Sequence, residues 1–166
     1  MKYTLFYCLL LAFLVTDAQI NAGFVHNGMA RNYIFYKPAN AEINCPLLMV
    51  MHGYGGSAND IMDYSAMNEV ADSYGFAVCY PQGSSDDWGQ AFFNVGYVFH
   101  DEETVDDVGF ITDLATYLQS TYQLSEAHTF CTGFSNGGDV SFVLACEAPE
   151  FFRAAAPISG TMMLEG

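Results

Sequence analysis

A serine lies between two glycines in the stretch "CTGFSNGGDVSF", residues 131–142, which places the pattern Gly-x-Ser-x-Gly around Ser135. An apolar run precedes the pattern and a helix-compatible run follows it, so we predict Ser135 at a tight turn from strand to helix. Such a turn exposes the serine oxygen at a helix N-terminus, where the helix dipole favours developing negative charge. The pattern is weak by itself, because background composition also produces it. Its position in the chain makes Ser135 a candidate nucleophile.

A second glycine-rich stretch, "HGYGG" at residues 52–56, also follows an apolar run of strand length. In an open parallel sheet, the loops at the carboxyl ends of the strands converge on one crevice, so we expect this loop to lie near Ser135. Acyl transfer needs two backbone N–H donors for the oxyanion, one from Asn136 after the nucleophile and one from a loop of this kind. The alternative interpretation of "HGYGG" is a plain flexible turn.

The rest of the sequence predicts the elements that hold these two stretches, and 166 residues suffice for one core. An Asn27-Gly28 pair between two β-prone runs at residues 24–38 is a strong hairpin signal. Continuous apolar runs indicate buried strands, and apolar residues at helical spacing indicate helices. The predicted strands are 45–53, 76–81, 128–134 and 152–160, and the predicted helices are 58–73, 105–122 and one from the Ser135 turn to about Cys146. This alternation predicts an α/β fold with a mostly parallel sheet and helices on both faces.

A long predicted loop at residues 82–104 holds the only tryptophan, Trp88, and several other aromatic residues. Loops of this length are uncommon in compact domains unless they have a function. Residues 86–99 leave the carboxyl end of the predicted strand 76–81. We therefore expect them to form part of the wall that binds the acyl group.

Several separated motifs together resemble one family: "RNYIFYKP", "HGYGGSA", "YPQG", Trp88, "VDDVGFI", "TGFSNGG" and "PISG", in this order. Over about residues 29–163 the chain is similar to secreted α/β-hydrolases grouped with polyhydroxybutyrate depolymerases and feruloyl esterases. The resemblance implies an α/β-hydrolase fold and cleavage of carboxylic esters through an acyl-enzyme intermediate.

The resemblance also implies roles for individual residues. Ser135 matches the nucleophile, and the main-chain N–H groups of Tyr54 and Asn136 match the oxyanion hole. Trp88 matches an aromatic residue that lies near the acyl pocket in relatives. The stretch "FFNVGYVFHDEE" at residues 92–103 departs from the compact cysteine-containing loop that the family often has. The ester therefore stays open: short aliphatic, hydroxyalkanoate, feruloyl or acetyl-sugar.

The proton acceptor for Ser135 is the main departure from the family pattern. In α/β-hydrolases the acid and the histidine follow the serine in chain order. All the histidines of this chain precede Ser135: His26, His52, His100 and His128. Of these, only His100 lies on a long loop with the reach to approach the site. The simpler interpretation is a chain truncated at its C-terminus, in which residues 19–166 form the N-terminal part of an α/β-hydrolase domain.

The first residues predict export. Lys2, an apolar run at residues 5–15, and small residues up to Ala18 are typical of a secretory signal peptide over residues 1–18. The apolar run is too short for a membrane anchor. We therefore expect a secreted protein, extracellular or periplasmic, with no membrane attachment after cleavage. The net charge of −15 argues against nucleic acid or anionic membranes as partners.

The cysteines and acidic runs give no metal or cofactor site. Four cysteines follow the predicted signal peptide, and in an exported protein they allow three disulfide connectivities: Cys45, Cys79, Cys131 and Cys146. Cys79 and Cys131 lie in strand-like apolar runs, where free thiols are equally common, so the pairing stays open. No Cys/His spacing is typical of zinc. The run "DEETVDD" at residues 101–107 lacks the ligand alternation and glycine of an EF-hand loop.

The expected function is that of an exported serine esterase, which hydrolyses small or polymeric esters (polyhydroxyalkanoate, feruloyl or related) through an acyl-enzyme on Ser135 without a cofactor. The 166-residue chain alone is expected to be nearly inactive, because the triad Asp and His are missing. The alternative is a catalytically inactive α/β-hydrolase-like binding module.

Overall fold

A computed structural model describes residues 19–162, and the predicted signal peptide at residues 1–18 lies outside the described residues. The strands are β1 (Gln19–His26), β2 (Met29–Tyr36), β3 (Leu47–Met51), β4 (Ala77–Pro81), β5 (Ser84–Ser85), β6 (Ala91–Phe92), β7 (Thr129–Phe134) and β8 (Ala154–Ile158). The helices are α1 (Ala58–Ser65), α2 (Met67–Tyr74), α3 (Asp107–Tyr122) and α4 (Asn136–Glu147), with a 3₁₀ turn at Val98–His100. No helix in the described part of the chain is long and apolar enough to cross a membrane.

The main sheet contains six strands in the order β1-β2-β4-β3-β7-β8. The β1–β2 hairpin pairs antiparallel with β4, whereas β4, β3, β7 and β8 are parallel to one another. The hairpin turns at Asn27 and Gly28, whose φ angles of 48° and 80° lie in the left-handed region that this turn requires. The predicted α/β fold with a mostly parallel sheet is confirmed.

The strands read as continuous apolar runs because both faces of the sheet are covered. Successive side chains of a strand point to opposite faces. In β3, Leu47, Met49 and Met51 pack into a core shared with α3 and α4, while Leu48 and Val50 pack against α1 and α2 on the other face. The predicted placement of helices on both faces is therefore confirmed.

The predicted helix at residues 58–73 is two helices. Ala66, with φ 50° and ψ 29°, ends α1 and begins α2, and its N–H donates to Met62 O. Ser57 caps α1 by accepting a hydrogen bond from the N–H of Asp60. The break reorients the chain so that Ile61 of α1 and Ala71 of α2 both reach the same core. The sequence pattern alone gave no sign of this break, because Ala66 is a good helix former.

The predicted loop at residues 82–104 contains ordered structure. Strands β5 and β6 form a short antiparallel hairpin in which Ser84 pairs with Phe92. The side chains of Phe92 and Phe93 are fully buried. The four cysteines whose pairing the sequence left open, Cys45, Cys79, Cys131 and Cys146, are free thiols in this structure.

Candidate active site

Ser135 occupies a strained turn between β7 and α4. Its φ of 54° and ψ of −119° are rarely adopted by a residue with a side chain, and it is the residue that precedes the first turn of α4. Strain of this kind is a recurrent feature of functional sites, where the surrounding structure enforces it. The predicted strand–turn–helix context of Ser135 is present.

The flanking glycines are required by close backbone contacts. A Cβ on Gly133 would lie 2.3 Å from Gly137 O, and a Cβ on Gly137 would lie 2.3 Å from Met51 O. Both distances are far below van der Waals contact, and the obstructing atoms are backbone. The turn is therefore packed directly against the end of β3, which leaves no room for side chains at either glycine.

The "HGYGG" loop lies beside Ser135. A Cβ on Gly53 would lie 3.4 Å from Ser135 Cβ and 3.3 Å from Phe134 O. Asn136 is the first residue of α4, so its N–H has no acceptor within the helix. The structure thus brings together the three positions, Ser135, Tyr54 and Asn136, that the sequence assigned to nucleophile and oxyanion hole. Their catalytic roles remain predictions.

His52 is held in place by main-chain contacts on both ring nitrogens. Nε2 accepts the N–H of Gly83 at 2.9 Å, so Nδ1 carries the proton and donates to Gly53 O at 2.8 Å. Burial lowers the pKa of His52, which favours this neutral form. With both nitrogens engaged, His52 has a structural role beneath the loop and is not a free base.

The other histidines also bond elsewhere, and none hydrogen-bonds to Ser135. His26 lies between Asp106 and Asp113, and His128 bonds to Ser125. His100, which had the reach to approach the site, is buried and donates from Nε2 to Asp86 Oδ2 at 3.1 Å. Its Nδ1 has no hydrogen-bond partner among the described residues.

Asp86 is a functional candidate that the sequence did not reveal. Burial acts to raise its pKa, but hydrogen bonds from Tyr54, Gln90, His100 and Trp88 outweigh burial and bring the pKa to about 2. The hydrogen bond from the Tyr54 hydroxyl to Asp86 also raises the pKa of the Tyr54 phenol, to about 12. A permanently charged carboxylate therefore lies next to the predicted oxyanion loop. Its only sequence signal is the "DDW" run, which is also typical of a solvated turn.

A cavity of about 470 Å³ opens between the oxyanion loop and α1. Exposed rings of Tyr54, Tyr64 and Phe134 border it, and the last two have centroids 5.7 Å apart. Asp60 and Asp63 also line it, which gives the opening a negative charge. No pattern in the sequence predicted this wall from α1.

Trp88 lies beside a different cavity. The residue is 62% exposed and borders a smaller cavity of about 240 Å³ with Phe99 and His100. The structure does not bring Trp88 to the cavity beside Phe134, and its role in acyl binding stays a prediction. Among residues 19–162, no group of three or more His, Cys, Asp or Glu side chains is arranged to hold a metal ion.

A sequence model described as esterase PHB depolymerase matches residues 31–166. The chain belongs to this esterase family. It is 29% identical over 138 residues to acetylxylan esterase A of Talaromyces purpureogenus, covering 83% of this chain and 36% of that protein. It is also 29% identical over 138 residues to a probable feruloyl esterase C of Aspergillus niger, covering 82% of this chain and 48% of that protein.

The fold of this esterase-family chain is shared with solved esterases. The acetyl xylan esterase from Aspergillus awamori superposes with a TM-score of 0.67 at 25% identity, over 79% of this chain and 47% of that chain. The α/β-hydrolase fold implied by the sequence motifs is confirmed. The chain spans between about a third and a half of the length of these relatives.

Proposed function

We propose that this chain carries the nucleophile and oxyanion hole of an exported serine esterase that hydrolyses carboxylic esters. Ser135 Oγ attacks the ester carbonyl carbon, and the charge on the carbonyl oxygen is stabilised by the N–H groups of Tyr54 and Asn136. The serine proton passes to a general base and then to the departing alcohol. Water next cleaves the acyl-enzyme and releases the acid.

The observation that supports this proposal best is the strained Ser135 turn with Gly53 packed against it. A strained serine at the start of a helix, next to a glycine loop, is the arrangement with which α/β-hydrolases carry out acyl transfer. Family membership adds support, because the relatives that this chain matches are esterases by name.

The histidines of this chain do not supply the general base, because none of them hydrogen-bonds to Ser135 and the one unbonded nitrogen of His100, Nδ1, is buried. We propose that it belongs to a part of the enzyme beyond the described residues, so that residues 19–166 alone are nearly inactive. The substrate is a small or polymeric ester of the polyhydroxyalkanoate, feruloyl or related class, and residues 1–18 direct export. Anionic polymers such as nucleic acid are unfavourable partners at a net charge of −15.

The test uses the complete coding sequence of the gene, expressed for export, with p-nitrophenyl esters as substrates. We expect hydrolysis by the complete product and little by residues 19–166. Ser135→Ala should lower kcat/KM by about 10⁴-fold or more. Ser120→Ala is the matched control, because Ser120 is exposed on α3 and should leave activity unchanged.

Two outcomes contradict the proposal. Full activity in Ser135→Ala would exclude Ser135 as the nucleophile. A complete product that binds esters but hydrolyses none would favour the inactive binding module instead.

A further inference from the structure

One segment connects both halves of the proposed oxyanion hole. Residues 83–94, called here the bridging segment, run from the end of β4 through β5 and β6. Toward the Tyr54 loop, Gly55 N–H donates to Ala91 O at 2.7 Å and the Tyr54 hydroxyl donates to Asp86. Toward α4, Asn136 Oδ1 accepts the N–H of Phe93 at 2.8 Å, and Asn136 Nδ2 donates to Phe93 O at 2.9 Å.

Asp86 is the centre of this connection. Its Oδ1 accepts the main-chain N–H groups of Trp88 at 2.9 Å and Gln90 at 2.8 Å. Its Oδ2 accepts the Tyr54 hydroxyl and, at 3.1 Å, the Nε2–H of His100. Four donors on one buried carboxylate fix the hairpin, the His100 ring and the Tyr54 side chain relative to one another.

These contacts join the two parts of the chain that carry the oxyanion donors. The loop that carries Tyr54 and the helix start that carries Asn136 belong to different parts of the chain, 82 positions apart in sequence. Each donor must lie about 2.7–3.1 Å from the oxyanion, and losing one costs about 10²–10³-fold in kcat. A segment bonded to both sides limits their relative movement.

We propose that Asp86 is a positioning residue, which fixes the separation of the Tyr54 and Asn136 amides by fastening the bridging segment to the Tyr54 loop. The catalytic consequence rests on the proposed function, whereas the mechanical linkage does not. Asp86→Asn is the decisive substitution because it preserves side-chain shape. The amide lacks the charge that strengthens all four bonds, and its NH₂ group faces two of the four donors, which can no longer donate there.

The first experiment measures the linkage in residues 19–166 without any substrate. Amide hydrogen exchange of Gly55 reports the joint between the Tyr54 loop and the bridging segment. We expect Asp86→Asn to raise this exchange rate about tenfold or more and to shift the fluorescence emission of Trp88, the only tryptophan. The matched control is Asp87→Asn, because Asp87 is exposed and should change the rate less than about twofold.

The second experiment measures catalysis in the complete gene product. Asp86→Asn should lower kcat about 10- to 100-fold with KM changed less than about twofold, because donors to the transition state are displaced and substrate contacts remain. Tyr54→Phe removes the hydroxyl that donates to Asp86, so adding it to Asp86→Asn should cost little more.

The proposal is overturned if Asp86→Asn matches Asp87→Asn in Gly55 exchange and Trp88 emission. It is also overturned if the catalytic loss falls on KM alone. If the unsubstituted complete product hydrolyses no ester, the proposed function fails, and the exchange experiment still decides the linkage.

Discussion

Replacing Arg31 by methionine should destabilise the protein strongly through one buried ion pair. Arg31 Nη2 lies 2.5 Å from Asp107 Oδ1, and the two residues are only 4% and 1% exposed. The guanidinium also lies 3.9 Å from the centroid of the Phe110 ring. Asp107 Oδ2 accepts the N–H of Asn94, so this pair fastens β2 to α3 and to the end of the bridging segment.

The magnitude follows from what Arg31→Met leaves behind. A buried carboxylate loses its counter-charge, which typically costs about 3–5 kcal/mol. That is a large share of the roughly 5–15 kcal/mol that stabilises a domain of ordinary size. At about 2–4 °C per kcal/mol, the midpoint of thermal unfolding should fall by on the order of 10 °C. Replacing both partners, as Arg31→Met with Asp107→Asn, should recover most of the loss, because no charge is then left unpaired and the amide oxygen still accepts the N–H of Asn94.

The direction in which this destabilisation changes with pH follows from the pKa of Asp107. Burial raises the pKa of Asp107 even though Arg31 opposes this shift. When a carboxyl has a higher pKa in the folded state than its unfolded value of about 3.9, the free energy of unfolding is highest below pH 3.9. It then falls as the pH rises toward the folded pKa. Without Arg31 that pKa rises further. The destabilisation by Arg31→Met should therefore be larger at pH 7 than at pH 4.

Urea unfolding followed by circular dichroism measures both effects in residues 19–166. Arg153→Met is the matched control, since Arg153 is exposed and should change stability by less than about 0.5 kcal/mol. The reasoning is refuted if Arg31→Met costs no more than Arg153→Met. A greater cost at pH 4 than at pH 7 would refute the charge argument in particular.

Three further predictions concern the active site and the thiols. Ser135→Gly should stabilise residues 19–166 by about 1 kcal/mol, because the backbone strain that it relieves, about 1–3 kcal/mol, exceeds the cost of glycine flexibility, about 0.5–1 kcal/mol. A lower free energy of unfolding in urea would contradict this. A thiol reagent should react with one cysteine per native chain of residues 19–166, the exposed Cys146, and with four after denaturation, and rapid labelling of further thiols would show that the burial is wrong. In the complete product, Tyr64→Ala should raise KM for bulky esters more than for acetate esters. Tyr74→Ala is the control, because Tyr74 is exposed at the end of α2 and does not line the cavity, and equal effects of the two variants would exclude Tyr64 from substrate binding.

Local rules in the sequence determined the framework of this protein. The Asn27-Gly28 turn needs left-handed backbone angles, and the glycines around Ser135 leave room for two backbones to touch; both requirements restrict residue type at a fixed position. Apolar runs identified the buried strands, because a strand covered on both faces has apolar side chains on both faces. The nucleophile turn and its place beside "HGYGG" followed from these rules.

Tertiary structure alone decided what the polar side chains do. Asp106 and Asp107 are adjacent identical residues, and nothing in the sequence separates their roles. Asp106 remains half exposed and caps α3, whereas Asp107 is buried against Arg31, 76 positions earlier in the chain. Asp86 and Asp87 differ in the same way. From the sequence alone, a polar residue is expected to be exposed to solvent. Only the packing of distant segments determines which carboxylate is buried and therefore needs hydrogen bonds or a counter-charge within the protein.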